Sequence, residues 1–128
     1  MRTEVSQAVE ELKKQFPLAT VNVREDAQGG AYVVIDPVEV GPKFKPSTTW
    51  MGFHITPQYP YADIYPVFIG AEISRADGVP FAAPITRCAP FEGRPALQIS
   101  RRNGAAQTQL QKATAKILKV LYFLEQLV

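Results

Sequence analysis

Apolar residues recur at helical spacing at both ends of the chain and alternate with polar ones between. Val5, Ala8, Val9, Leu12 and Phe16 fall three or four positions apart, with Glu10, Glu11, Lys13 and Lys14 on the other side. That spacing predicts an amphipathic helix over 4–16, with Thr3 as N-cap and Pro17 as its stop. The runs VNVRED and AYVVIDPVEV flank AQGG, which reads as an antiparallel hairpin. GPKFKPS, with two prolines and a glycine, reads as an exposed connector. TTWMGFHIT then places Thr48, Trp50, Gly52 and His54 on one face, and Thr49, Met51, Phe53 and Ile55 on the other. PVFIGAEI supplies a fourth strand. Consecutive strands without an intervening helix predict an antiparallel meander.

Residues 74–95 hold Gly78, Pro80, Pro84, Pro90, Gly93 and Pro95 and keep no period. Long irregular segments of this kind often carry function. A short strand-like piece, ALQIS, and a turn, RRNG, follow. The last helix is expected from about Ala106 to Val128, with Leu110, Ala113 or Thr114, Ile117, Leu121, Leu124 and Val128 at helical spacing. Leu118, Val120, Tyr122, Phe123 and Leu127 add apolar groups on its other faces. A helix this apolar all round is either deeply packed or covered by a partner, and a homodimer through it is one reading. The fold class is α+β, in one domain spanning 1–128.

Composition narrows the function classes. The chain has 128 residues, 46% hydrophobic and 20% charged, the balance of a globular domain. A net charge of +2 gives no argument for nucleic acid. The single cysteine excludes an intrachain disulfide and suits a reducing cytosol. The first residues carry no apolar run like a signal peptide, and no stretch reaches the roughly 18 apolar residues of a membrane span. The expectation is a cytoplasmic protein with no membrane contact. Metal-ligand spacing, a phosphate-cradling glycine motif and paired carboxylates are all missing, so no metal or cofactor is expected.

The stretch HITPQYPYADIYPVFI brings proline into strand sequence. Pro60 and Pro66 fix φ and remove donors where the chain leaves the ladder. Tyr59 can plug the end of the sheet with its ring while its hydroxyl reaches a partner. Phe53-His54-Ile55-Thr56-Pro57, Tyr59-Pro60-Tyr61 and Pro66-Val67-Phe68, set in the order helix, meander, irregular segment, helix, resemble the ubiquitin-conjugating enzyme superfamily. ALQISRRNG followed by a helix resembles a divergent bacterial branch, found in operons with a ubiquitin-like protein, an activating enzyme and a deconjugating protease. The resemblance runs in element order from residue 3 to 125. It implies a ubiquitin-conjugating-like fold: an N-terminal helix, a four-stranded meander, a long irregular active-site segment and one C-terminal helix where eukaryotic relatives continue. It also implies a carrier that accepts an activated ubiquitin-like C-terminus from the activating enzyme and passes it to an amine.

The site residues follow from that resemblance, with departures. The His-Pro-Asn tripeptide that usually precedes the family's cysteine is not present. His54 lies on a strand and reads as structural or solvent-facing, and Asn103 reads as a turn former. Cys88 is the one possible thiol nucleophile, 29 residues after Tyr59, with Arg87 beside it to lower its pKa. A second register aligns the family's cysteine-bearing piece with Ala96-Leu97-Gln98-Ile99-Ser100 and puts alanine at the nucleophile position. Ser100 is then the alternative, forming an oxyester with Arg101 and Arg102 polarising the carbonyl. Glu92 and Asp77 are candidates for orienting an incoming lysine. Arg2, Lys13 and Lys14 form the implied docking face for the activating enzyme. Tyr59, Arg101 and Arg102 are the further partner contacts. Two other readings stand beside the carrier: a catalytically inactive adaptor that binds a ubiquitin-like protein or partner enzyme, and an unrelated α+β dimerising module.

Overall fold

The structure, a computed structural model, describes residues 1–102 and 110–127. Along the chain run α1 (Thr3–Gln15), β1 (Thr20–Glu25), β2 (Ala31–Glu39), β3 (Phe44–Lys45), β4 (Thr48–Ile55), β5 (Val67–Gly70), β6 (Ser74–Arg75), β7 (Ile85–Arg87), β8 (Ala96–Ile99) and α2 (Ala113–Glu125).

The α1 stripe forms as its spacing requires, with Val5, Ala8, Val9 and Leu12 buried. Its N-cap is Arg2, one residue before the expected Thr3. Arg2 is held from outside the helix: its N–H donates to the Gly29 carbonyl at 2.8 Å and its guanidinium to the Pro57 carbonyl. The helix ends at Phe16, whose N–H donates to the Leu12 carbonyl, directly before Pro17.

The β1–β2 hairpin pairs from Thr20↔Asp36 to Glu25↔Ala31. The Asp26 carboxylate closes its turn by accepting the N–H groups of Gln28 and Gly30 at 2.8 and 2.9 Å. Gly29 sits at φ +108°, where only glycine is unstrained. The β2–β4 register shifts between Ile35 and Val38, around Pro37, which has no N–H for the ladder.

Six strands form one antiparallel sheet in the order β1-β2-β4-β5-β8-β7. The expected four-stranded meander is therefore present, and ALQIS extends it as β8. Two segments differ from expectation. The connector 41–47 was expected to be exposed, yet β3 pairs with β6 and buries Phe44 against Phe81. Residues 74–95 contain β6, β7 and a Phe91↔Arg94 bridge. Pieces of two or three residues show no period, and only their long-range partners define them.

Both helices pack on one face of the sheet, where Val5, Leu12, Met51, Phe53, Ile55, Ile69, Ile117 and Leu124 share the core. α2 starts at Ala113, later than its apolar pattern indicated; Leu110 lies ahead of it and is 68% exposed. Asn103 and Gly104 of the expected turn, residues 106–109 of the expected helix and Val128 lie outside the described residues. Leu118 and Tyr122 face outward from α2. Among the described residues no helix is long and apolar enough to cross a membrane.

Candidate functional site

The other face of the sheet carries a second, smaller apolar cluster: Val34, Trp50, Phe91 and Ala96, with Tyr32, Phe68 and Cys88 against it. Strand alternation produces it, since Trp50 and Gly52 point away from the core-facing Met51 and Phe53. Gly52 leaves room for the Phe91 ring, because a Cβ there would lie 2.6 Å from Phe91 Cε2. Phe91 also stacks on Phe68 at 4.5 Å between centroids.

Phe91 is delivered by a tight hairpin turn. Phe91 and Arg94 exchange both backbone hydrogen bonds at 2.9 Å. Between them Glu92 and Gly93 take φ +49° and +76°, as a primed two-residue hairpin turn demands. Two ion pairs tie the turn to β1 and β2: Arg24 binds Glu92 through Nε at 3.0 Å and Nη2 at 2.7 Å, and Arg94 binds Asp36 at 2.8 Å. Glu92 is thus engaged by an arginine, and so is Asp77, bound to Arg75 at 2.8 Å.

Cys88 immediately follows β7 and Ala96 opens β8. The β7–β8 register, Ile85↔Ile99, Thr86↔Gln98 and Arg87↔Leu97, brings these two positions opposite each other. The Cys88 thiol donates to the Ala96 carbonyl oxygen at 3.5 Å. Burial pushes the Cys88 thiol pKa up. This corrects the expectation that Arg87 lowers it. Successive strand residues face opposite ways, and Arg87 lines a different cleft, with Ala71, Ile73 and Leu97.

Ser100 follows β8, and its Oγ accepts a hydrogen bond from Gln98 Nε2 at 2.9 Å. An amide cannot take a proton from serine, so this neighbour supplies no base. Arg101 and Arg102 turn toward aromatic rings, Arg101 over Phe123 at 4.5 Å and Arg102 over Tyr65 at 3.8 Å. Lys116 of α2 reaches the same place, donating to the Arg101 carbonyl at 2.7 Å and to Asp63 at 3.1 Å. The Lys116 and Asp63 side chains are only 8% and 7% exposed.

Tyr59 is 6% exposed, and its hydroxyl accepts the Ala113 N–H at 3.0 Å. The group that this hydroxyl reaches is therefore the first N–H of α2 in the same chain. Lys13 and Lys14 are exposed on the last turn of α1, Lys13 lying 3.4 Å from Glu10. Arg2 is at the opposite end of that helix, so the three cations do not form one patch. His54 is half-buried on the outer face, stacked on Tyr32 at 4.2 Å and 2.7 Å from Asp26. That hydrogen bond is the main reason the Asp26 carboxyl lies below its ordinary value.

Sequence reading missed the Asp26–His54 pair, the Arg24–Glu92 clamp and the Asp63–Lys116 pair. Their members lie 28, 68 and 53 residues apart, and no local pattern signals such pairs. Among the described residues no group of three or more His, Cys, Asp or Glu side chains is placed to hold a metal ion. Searches against protein-family models, curated proteins and solved structures return no match to this chain.

Proposed function

We propose that this chain is a divergent ubiquitin-conjugating-like carrier whose nucleophile is Cys88. The observation that carries the reading is the hairpin that sets the Cys88 thiol against Ala96. The two registers of the family motif, one through Cys88 and one through Ala96, thereby converge on one place at the end of the β7–β8 hairpin. In the proposed reaction the Cys88 thiolate attacks the thioester carbonyl joining a ubiquitin-like C-terminus to the activating enzyme. That enzyme's thiolate leaves and Cys88 holds the new thioester. An amine then attacks the same carbonyl, Cys88 leaves as thiolate, and the amine loses a proton as the amide forms.

A second reading, an adaptor without chemistry, rests on a specific observation. The thiol packs in an aromatic cluster and its pKa is raised, the reverse of an activated nucleophile.

The test is the intact mass of the purified chain after incubation with an activating enzyme, its ubiquitin-like protein and ATP. It is run with and without reductant on the wild type, Cys88→Ala and Ser100→Ala. A reductant-sensitive adduct lost in Cys88→Ala supports the carrier. A reductant-resistant, hydroxylamine-sensitive adduct lost in Ser100→Ala transfers the role to Ser100. Binding of the ubiquitin-like protein without any adduct supports the adaptor.

A further inference from the structure

Between the exit of β8 and the outer side of α2 lies a cleft of about 400 Å³, walled by Arg101, Arg102, Lys116, Lys119, Tyr122 and Phe123. Its cations differ from the arginines clamped on the strands and the β6 turn. Arg24, Arg75 and Arg94 each engage a carboxylate. Among the described residues, Arg101, Arg102 and Lys119 engage none, and Asp63 is matched to Lys116 of the cleft wall. Three cations in one concavity thus lack a counter-charge within the described part of the chain.

The two guanidinium groups are also oriented in advance. Each lies on an aromatic face, Arg101 on Phe123 and Arg102 on Tyr65. A stacked guanidinium keeps its edge donors available and loses less freedom on binding. Lys116 fixes the segment from beneath by holding the Arg101 carbonyl. The rest of the wall is mainly apolar, with Val120, Tyr122 and Phe123 from one turn of α2 and Gln126 at its edge.

The geometry points to a binding site for an organic polyphosphate that carries a flat ring, the chemistry of a nucleoside diphosphate or triphosphate. Charge decides against a single carboxylate, which one arginine fork neutralises, whereas the terminal phosphate alone brings about −1.5 to −2 and each further phosphate adds charge, matching several cations. Size and surface decide for an attached ring, because the volume is that of a small-molecule site and the apolar wall would meet only water around free phosphate. Nothing in this inference depends on Cys88, so it can fail while the carrier reading holds.

Calorimetric titration of the full chain at low ionic strength, with ADP, pyrophosphate and a glutamate-rich peptide in separate arms, tests the site. ADP should bind saturably, more tightly than pyrophosphate, and more weakly as salt rises. Arg101→Ala combined with Arg102→Ala should weaken ADP by about tenfold or more, and Tyr122→Ala should weaken ADP while leaving pyrophosphate unchanged. Lys119→Glu, on an exposed position, serves as the second variant if the double arginine change does not fold. No saturable binding of ADP, or unchanged affinity in both the arginine and Lys119 variants, would overturn the proposal. Pyrophosphate binding as tightly as ADP would overturn the ring assignment, and preference for the peptide would overturn the phosphate assignment.

Discussion

The Cys88 thiol lies 3.5 Å from the Ala96 carbonyl oxygen, across the mouth of the β7–β8 hairpin and beside the Phe91 cluster. Because burial raises its pKa, the thiolate is a minor species at neutral pH. The rate of Cys88 modification by a soluble disulfide should keep climbing past about pH 8.5, where an ordinary thiol begins to level off. Phe91→Ala should speed the reaction several-fold at neutral pH by uncovering the sulfur. A rate that levels off below the ordinary thiol pKa would contradict the burial argument.

Gly52 and Phe91 share one space. In Gly52→Ala the new Cβ would lie 2.6 Å from Phe91 Cε2 and 3.0 Å from the Trp50 ring. The ring must move, at a cost of about 1–3 kcal/mol. Urea unfolding followed by the fluorescence of Trp50, the one tryptophan, should show both a lower midpoint and an altered native spectrum.

Tyr59 ties the crossover after β4 to the start of α2. Tyr59→Phe keeps the ring and removes the acceptor for the Ala113 N–H, a buried donor at a helix N-terminus. A loss of about 1–2 kcal/mol is expected in chemical denaturation. Burial raises the Tyr59 pKa, so its stabilising contribution is complete below the ordinary phenol value of about 10 and is lost as pH rises through the folded-state pKa. Wild type and Tyr59→Phe should therefore converge in stability under alkaline conditions.

Asp26 acts in the opposite direction. Hydrogen bonds from His54, Gln28 and Gly30 lower its pKa. Its contribution is present above the unfolded carboxylate value of about 3.9 and is lost as pH falls through the lower folded value. Asp26→Asn should lie below wild type in thermal midpoint at neutral pH, and the gap should close in acid. A gap that persists unchanged at pH 2 would show that the carboxylate charge plays no part.

On the carrier reading, Lys13 and Lys14 steer the activating enzyme toward α1. Lys13→Glu with Lys14→Glu should slow charging of Cys88 by about tenfold at low ionic strength, with the difference shrinking as salt screens it. Both side chains are exposed, so the fold should be unaffected. An unchanged charging rate at low salt would remove α1 from the docking face.

The regular elements were legible because their signals are local. Val5, Ala8, Val9 and Leu12 mark the buried stripe of α1, and Trp50 against Met51 marks the two faces of β4. The start of α2 was misread because Leu110 continues the apolar period, while the Tyr59 hydroxyl and the Pro60 carbonyl bind the backbone of Ala113 and Gln111 just before and at the first turn. Phe44 was misread because one aromatic between prolines carries no period, and its burial depends on β6 some thirty residues away.

The sequence by itself determined the two helices, the strands β1, β2, β4 and β5, and the faces they turn to the core, since a period of two or 3.6 constrains every residue that obeys it. Tertiary structure alone decided that Cys88 meets Ala96, that Phe91 covers Gly52, and that Arg101, Arg102 and Lys119 gather without a described acidic partner. Such pairings arise when strands distant in sequence close into one sheet, and their energies depend on distance and burial, which no local pattern encodes.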